Sequence, residues 1–420
     1  MKYNSKQHSH RSRRRKGYIF VSIAVVAVFV TLVSYWYVLE KRLRTSTQAA
    51  ISQNSQSLST TNPQVTGGEA SGNTAESVSA LPRYGISLGN TLPGLNSKDL
   101  DNRLGDIKSL GIKWIRVDLS WQDIQVTSED KYSWASFDNV VKAANAHGLM
   151  VLPILGYTPH WARQTQCADS DKCAPANASQ FATFSKEASQ RYSKMGIHTW
   201  EIWNEPNLTS FWKPYPNPSQ YAKLLMNSSL AIKSVDTSAK IISGSLAPVE
   251  NYPTSIDPLD FLKKIYQAGA KDSFDVIGYH PYSYPALPSQ VQTWSGWSKI
   301  SDLPISLVTI MNSYGDTSKE FWITEFGAPT NGPGVIATSM GYDPDIHPDH
   351  VTEDLQTKMV SDSFNMVSNN SRISALFWYT YKDTSSDIST NENFFGLIRA
   401  NGYKKPAYYT LKQSITATQR

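Results

Sequence analysis

The amino-acid sequence predicts an α/β fold, a (β/α)8 TIM barrel preceded by a single N-terminal transmembrane helix and a disordered linker. Three observations predict this organisation. A 22-residue segment without charge lies near the N-terminus, a polar low-complexity segment follows it, and eight short apolar segments alternate with amphipathic ones in the remainder. Of the 420 residues, 40% are hydrophobic and 18% are charged, which excludes a wholly disordered chain.

Charge is unevenly distributed along the chain. The formal net charge is +5, but residues 1–44 contain ten Lys or Arg residues and one acid, Glu40, so the remaining residues carry a net charge of −4. The basic character therefore belongs to a tail. A folded domain that binds nucleic acid needs a basic face, and this distribution argues against that function.

The segment 18–39 is predicted to be a transmembrane anchor. At ~1.5 Å per residue a helix of this length spans about 33 Å, more than the roughly 30 Å of a bilayer core. Tyr18 and Trp36 lie near its ends, where aromatic rings favour the membrane interface. The basic tail 1–17 predicts a cytoplasmic N-terminus and a cell-membrane protein whose residues after the anchor lie outside the cytoplasm. A cleavable signal peptide is the alternative, but the apolar run is long and no A-x-A-like site follows.

The segment 40–80 is predicted to be a flexible linker. Within residues 45–80, 21 of 36 are Ser, Thr, Asn or Gln, and none is aromatic. Such a segment cannot bury enough apolar surface to offset the entropy lost on ordering. We expect it to act as a tether between the anchor and the domain 81–420.

Residues 81–420 are predicted to form the barrel. β-branched and aromatic runs predict eight strands, near 84–89, 114–121, 150–157, 199–204, 240–246, 274–280, 320–326 and 373–380. Amphipathic segments predict helices near 99–110, 137–147, 178–195, 218–235, 257–269, 303–314, 352–368 and 405–415. A doubly wound sheet is the alternative, but the glycines after the first strand lack the phosphate-binding spacing.

Cysteine usage excludes a fold built on several disulfides, because the chain has two cysteines. Cys167 and Cys173 are six residues apart in a polar stretch. In an oxidising exterior this spacing predicts a local disulfide that fixes a loop. Two free thiols or a metal pair are the alternatives, but no His or further Cys nearby completes a metal-binding set.

Two carboxylates are placed for chemistry at the barrel mouth. Glu205 follows the fourth predicted strand and Glu325 ends the seventh. Active sites of (β/α)8 barrels form at the carboxyl ends of the strands. Two carboxylates that flank one bond are what glycoside hydrolysis requires, one as proton donor and the other as nucleophile.

The motifs WEIWNEPN, HPY and TEFG, on the fourth, sixth and seventh predicted strands, resemble those of clan A glycoside hydrolases. Within this clan of retaining (β/α)8 enzymes, the sequence is similar to family 39 and to family 5 cellulase-like proteins. The resemblance implies that Glu205 is the acid/base, that Glu325 is the nucleophile and that Asn204 hydrogen-bonds the sugar 2-hydroxyl. It also implies that no metal or organic cofactor is needed.

The resemblance extends to residues on other strands. It implies that Tyr282 contacts the nucleophile while His280 lies in the sugar subsite, although the two roles could be exchanged. Trp378 matches an aromatic residue that forms the floor of the subsite. Arg116 could orient the nucleophile from the second strand, and a structural salt bridge to Asp118 is the alternative.

Substrate contacts are also predicted in the loops that follow the strands. His160 follows the third strand, where several families of the clan place a substrate-contacting His. Sugars expose apolar C–H faces that stack on aromatic rings. The tryptophans expected to line subsites are Trp161, Trp212, Trp294 and Trp297.

The sequence therefore predicts a membrane-anchored, extracytoplasmic retaining glycoside hydrolase that cleaves β-linked glycans by double displacement. Its partners are a polysaccharide or oligosaccharide substrate and the lipid bilayer. A non-catalytic surface carbohydrate-binding barrel and a transglycosylase using the same site are the alternatives. The acidic, His-containing stretch 341–350 is expected to be a polar lid rather than a cation site. The sugar and the endo or exo mode of action stay open.

Overall fold

The computed structural model describes residues 83–338 and 348–418. Its central feature is a closed barrel of eight parallel strands, so the predicted (β/α)8 fold is confirmed. The predicted tail, anchor and linker lie outside the described residues, as does most of the stretch 341–350. Within the ranges described, no helix is long and apolar enough to cross a membrane.

Each barrel strand is hydrogen-bonded to the strands before and after it in the sequence, and the first strand pairs with the last. The strands are β1 (Arg83–Ser87), β2 (Trp114–Ser120), β3 (Met150–Gly156), β4 (Thr199–Asn204), β5 (Lys240–Ser245), β6 (Val276–Tyr279), β7 (Glu320–Phe326) and β8 (Ile373–Tyr379). A separate short parallel pair joins Ile336–Ala337 to His350–Val351.

The connections between strands contain helices that cover the barrel. They are α1 (Ser97–Ser109), α2 (Ala135–Ala146), α3 (Ala178–Tyr192), α4 (Pro218–Lys233), α5 (Pro258–Gln267), α6 (Leu307–Ser313) and α7 (Glu353–Ser368), and α8 (Pro406–Thr418) follows the last strand. Short helices also form at Trp121–Ile124 and Ser298–Ser301.

The helix predicted over 303–314 is shorter than expected and begins at Leu307. Pro304 disfavours helical conformation in the residue before it. Ser306 then caps α6, because its side chain accepts from Thr309 N–H at 3.2 Å while the Thr309 hydroxyl accepts from Ser306 N–H at 2.8 Å. This reciprocal capping sets the start of the helix.

Two apolar layers support the mouth of the barrel. A small cluster fills the barrel and includes Leu152, Ile242, Trp322 and Phe377. A larger cluster lies between the barrel and the helices. The packed interior closes the barrel below its carboxyl-end face, so a ligand can enter only from that face.

Candidate active site

A cavity of about 700 Å³ opens where the strands of the barrel end. Its wall includes polar and aromatic side chains from the ends of several strands and from the loops that follow them. The lining residues are Gly89, Asn90, Asp118, Tyr157, Lys172, Asn204, Glu205, Leu208, Ser210, Phe211, Tyr282, Tyr284, Glu325, Tyr379, Glu392 and Phe395. The two predicted catalytic carboxylates and Asn204 therefore lie together in one cavity.

The end of β4 departs from regular strand geometry to present Glu205. Trp203 has φ +74° and Glu205 has φ +41°, both in the left-handed region that non-glycine residues rarely adopt. Such conformations cost about 1–3 kcal/mol each and persist when packing fixes them. Trp203 is fully buried and its indole N–H donates to the Phe211 carbonyl at 2.8 Å. Packing of this ring thus holds the turn that carries Glu205.

Arg116 connects several polar groups below the cavity. Its guanidinium forms a two-pronged ion pair with Glu201, with N···O distances of 2.6 and 2.8 Å. It also donates to Asn204 Oδ1 at 2.8 Å and to an oxygen of Glu325. Arg116 and Glu201 are both fully buried, so the two opposite charges compensate each other away from water.

Arg116 thus fulfils the predicted contact with Glu325, but Glu201 is its main ion-pair partner and the alternative pairing with Asp118 does not form. Burial opposes ionisation of Glu201, yet the adjacent Arg116 guanidinium lowers the pKa of this carboxyl. Because Asn204 Oδ1 is occupied by Arg116, its amide NH2 is the group free to donate to a ligand.

Glu325 receives three hydrogen-bond donors. Tyr282 Oη donates to Oε2 at 3.0 Å, while Ser87 Oγ, at 3.3 Å, and the Arg116 guanidinium donate to Oε1. These three donors fix the orientation of the carboxylate. The predicted contact between Tyr282 and the seventh-strand carboxylate is present.

Glu205 has a different environment. It is 8% exposed, and burial raises the pKa of its carboxyl to about 7 although Arg116 opposes this effect. Its Oε1 lies 2.9 Å from His280 Nδ1, and the same nitrogen lies 3.8 Å from Glu325 Oε2. The two carboxyl groups therefore differ in their environments but both lie close to the same nitrogen of His280.

His280 does not lie in the sugar subsite, which corrects the expectation from the sequence. The ring is completely buried and is not part of the cavity wall. Burial lowers the pKa of His280 to about 4, so the ring is neutral above that pH. Its Nε2 lies 3.0 Å from Thr324 Oγ1, so both ring nitrogens face protein groups rather than a ligand.

Trp378 does not form the floor of the cavity either. It belongs to the cluster between barrel and helices, and its ring packs edge-on against Phe326 with centroids 5.8 Å apart. Alternation along β8 explains this placement, because Phe377 faces the barrel interior and Tyr379 reaches the cavity. Tyr379 is therefore the eighth-strand aromatic residue of the site.

The predicted contacts after β3 and in the other loops also differ. His160 is exposed and is absent from the cavity lining. Trp161 donates through its indole N–H to the Gln125 carbonyl at 2.8 Å and packs on the core instead. Trp212 and Trp297 are buried in the core, and Trp294 is not among the lining residues either. These rings fill space behind the loops rather than lining the cavity.

Cys167 and Cys173 form a disulfide bond in the loop after β3, with their Cα atoms 5.4 Å apart. The same loop brings Lys172 into the cavity wall. Sequence reasoning did not include Lys172 in the site, because a lysine in a long polar loop carries no positional signal. Among the described residues, no group of three His, Cys, Asp or Glu side chains is arranged to hold a metal ion.

Sequence reasoning also missed Glu201. Regular alternation would place Glu201 and Trp203 on one face of β4, whereas Ile202 and Trp203 both pack in the outer cluster. The positive φ of Trp203 breaks the alternation and leaves Glu201 and Asn204 on the inner side with Arg116. This irregularity carries no signature in the residue pattern.

A closed (β/α)8 barrel with two carboxylates at its mouth is the architecture of a clan A glycoside hydrolase. The family model described as cellulase (glycosyl hydrolase family 5) matches residues 85–384. The chain belongs to glycosyl hydrolase family 5. The predicted class, a clan A glycoside hydrolase, is thereby confirmed.

Solved structures of low sequence identity share the fold. A family 39 glycoside hydrolase from Bacteroides cellulosilyticus WH2 is similar with a TM-score of 0.60 and 18% identity, over 80% of this chain and 64% of that chain. A GH5_18 protein from Streptomyces cattleya, solved in complex with GlcNAc, has a TM-score of 0.57 and 14% identity, over 81% of this chain and 80% of that chain.

One curated relative is similar over a short segment. A β-xylosidase from Geobacillus stearothermophilus is 47% identical over 49 residues, which are 11% of this chain and 10% of that protein. The chain thus matches about a tenth of this relative and spans less than two thirds of the family 39 enzyme.

Proposed function

We propose that this enzyme cleaves β-linked glycans by double displacement, with Glu325 as nucleophile and Glu205 as acid/base. The observation that carries the proposal is the position of both carboxyl groups around His280 Nδ1, at 2.9 Å and 3.8 Å, within one cavity. Retaining enzymes hold their two carboxyl groups ~5–5.5 Å apart, which leaves no room for water between nucleophile and sugar. Contact of both carboxyl groups with one nitrogen supports such a short separation.

In the first step, an oxygen of Glu325 attacks the anomeric carbon and the bond to the leaving oxygen breaks. Glu205 gives its proton to that oxygen, and the product is a covalent glycosyl-enzyme. The donors Tyr282, Ser87 and Arg116 hold the Glu325 carboxylate in position for attack. The raised pKa of Glu205, about 7, supports its protonated form at the start of the reaction.

In the second step, Glu205 removes a proton from an incoming water whose oxygen attacks the anomeric carbon. The bond between that carbon and Glu325 breaks, and the sugar leaves with its original anomeric configuration. Asn204 supports both steps through its amide NH2, which is free to donate to a sugar hydroxyl while Arg116 fixes the amide oxygen.

Azide rescue of a Glu205→Ala variant tests these assignments. We expect kcat to fall by about 10²- to 10⁴-fold with 2,4-dinitrophenyl β-glycosides. Their leaving group needs no proton, so breakdown of the glycosyl-enzyme, which now lacks its general base, limits the rate. Azide needs no general base, so it should restore turnover and yield the β-glycosyl azide. Glu320→Ala is the matched control. Glu320 lies on the same strand as Glu325 but at its start, at the end of the barrel away from the cavity. An α-glycosyl azide, or no loss of kcat, would contradict the assignment of Glu205.

We further propose that residues 18–39 anchor the enzyme in the cell membrane with residues 40–420 outside the cytoplasm. The uncharged length of this segment and the basic tail before it support the anchor. The Cys167–Cys173 disulfide supports an oxidising compartment. Full-length protein should stay with membranes during alkaline carbonate extraction, whereas a chain lacking residues 1–44 should not. Extraction of the full-length chain into the soluble fraction would contradict the proposal.

A further inference from the structure

One wall of the cavity carries two opposite charges that bond cleavage does not use. Asp118, near the end of β2, and Lys172, in the loop after β3, both line the cavity. Arg116 lies two residues before Asp118 on the same strand, but it is fully buried and reaches Glu325 from below. Asp118 and Lys172 are therefore the charged groups of this wall that face a bound sugar.

The Asp118 carboxylate lacks donors from the protein. Within residues 83–338 and 348–418, no side chain or backbone group donates a hydrogen bond to it. Burial raises the pKa of this carboxyl to about 6, although Arg116 and Lys172 oppose the effect. The side chain is partly exposed in the cavity wall. Hydroxyl groups of a bound ligand can therefore donate to the Asp118 oxygens.

Lys172 is held in place on both sides. Thr158 N–H donates to the Asp171 carbonyl at 2.8 Å, and the Thr158 hydroxyl donates to the Cys173 carbonyl. Lys213 N–H donates to the carbonyl of Lys172 itself at 2.9 Å. The disulfide at Cys173 fixes the adjoining turn. The backbone that presents the ammonium group is thus rigid, which lowers the entropic cost of ligand binding.

The ammonium group of Lys172 also has one unused hydrogen. It carries three N–H donors. One is directed to Asp171 Oδ2 at 3.0 Å, and the group lies 3.2 Å from the centroid of the Tyr157 ring in a cation–π contact. The remaining hydrogen is available to a ligand oxygen. Asp118, to which no described protein group donates, and Lys172, which has one N–H to spare, therefore both line the cavity.

We propose that Asp118 and Lys172 form a specificity pair that recognises two adjacent free hydroxyls of the sugar ring bound beside Glu325. Asp118 accepts from one hydroxyl and Lys172 donates to its neighbour. Sugars that lack either hydroxyl, or carry an acyl or alkyl substituent there, are poor substrates. This inference rests on the proposed function, because it takes the ring attacked by Glu325 as the one that is recognised.

The test measures binding with the full-length chain carrying Glu325→Gln, so that no turnover occurs. Calorimetry with 4-nitrophenyl β-D-xyloside, β-D-glucoside and β-D-mannoside identifies the best ligand, and its 2-, 3- and 4-deoxy analogues are then compared. Asp118→Ala and Lys172→Met are each introduced. Asp272→Ala and Lys263→Met, which change exposed residues outside the cavity lining, are the matched controls.

We expect a deoxy analogue at one position to bind about 10- to 100-fold more weakly than its parent sugar. Asp118→Ala or Lys172→Met should weaken binding of the parent sugar by a similar factor. In the variant that lacks the partner of the missing hydroxyl, the deoxy analogue should then bind less than threefold more weakly than the parent sugar. The control variants should keep the full discrimination, and all variants should share cooperative thermal unfolding.

The proposed pair would be wrong if both variants still distinguished the parent sugar from its deoxy analogues as well as the unsubstituted site does. It would also be wrong if none of the three glycosides bound. The outcome is distinguishable from failure of the proposed function. A chain with native Glu325 that shows the pair effect in binding but hydrolyses no glycoside would contradict the hydrolase and leave the pair supported.

Discussion

His280 Nδ1 lies 2.9 Å from Glu205 Oε1, in a ring that is completely buried beneath the two carboxylates. The ring is neutral, because burial lowers its pKa to about 4. When Thr324 donates to Glu201, at 3.3 Å, its oxygen accepts the Nε2 hydrogen of His280. Nδ1 then accepts a hydrogen bond from the protonated Glu205 carboxyl. This hydrogen-bond chain favours the protonated acid that bond cleavage requires.

The dependence of kcat/KM on pH should have a descending limb near pH 7. Burial raises the pKa of Glu205 to about 7, so the acid form is present below that pH and is lost as the pH rises through it. Well above pH 7, kcat/KM should fall about tenfold per pH unit. In Glu205→Gln, assayed with a 2,4-dinitrophenyl β-glycoside that needs no proton donor, the limb should be absent. Its persistence there would assign the limb to another group.

Tyr282→Phe should lower kcat more than it changes KM. The substitution removes the donor that lies 3.0 Å from Glu325 Oε2 and leaves the ring in place. Loss of a hydrogen bond to a charged group costs about 1.5–3 kcal/mol, or roughly 10- to 100-fold in rate if the bond acts in the transition state. Tyr284→Phe, in the same cavity wall, is the matched control. Equal effects of the two substitutions would contradict a specific role for Tyr282.

Arg116→Met should destabilise the fold by about 3–5 kcal/mol, because it leaves the Glu201 carboxylate buried without its counter-charge. The double substitution Arg116→Met with Glu201→Gln should recover part of this loss, since no unpaired charge remains. Urea unfolding of the two variants measures the difference. A double variant as unstable as the single one would show that the ion pair is not the source of the stability.

Substitution of Tyr379 should affect substrate binding, whereas substitution of Trp378 should affect stability. Tyr379→Ala removes a ring from the cavity wall and should raise KM by about 3- to 10-fold. Trp378→Phe should lower the unfolding temperature and leave KM unchanged, because this ring packs between barrel and helices. A raised KM in Trp378→Phe would show that the outer ring influences the sugar subsite.

The strands, the helices and the main carboxylates of the site could be predicted from the sequence. Alternating apolar segments predict the strands and helices well, because burial of one helix face or of a whole strand leaves a regular pattern. The ends of the strands were also sufficient to predict Glu205, Glu325 and Tyr282 at one mouth. Sequence periodicity shows where each strand ends, and therefore which residues lie at the mouth of the barrel.

The direction in which several side chains point was not predicted from the sequence. The assignment of Trp378 followed family resemblance over the two-residue alternation of β8, and the structure follows the alternation. The sequence does not predict Glu201 in the site, because the turn at Trp203 breaks the two-residue alternation of β4. Lys172 is held at the cavity because Lys213 bonds to its carbonyl and Thr158 bonds to the carbonyls of its two neighbours, Asp171 and Cys173. Tertiary contacts of this kind leave no local signal.

The most direct test of the account is to identify the residue that forms the covalent intermediate. A 2-deoxy-2-fluoro β-glycoside with a 2,4-dinitrophenyl leaving group, made with the sugar that is hydrolysed fastest, slows breakdown of the glycosyl-enzyme and lets it accumulate. Peptide mass spectrometry of the inactivated full-length chain should place the fluoro-sugar on Glu325. A label on Glu205 or on another residue, or hydrolysis whose first product has the inverted anomeric configuration, would contradict the double-displacement mechanism.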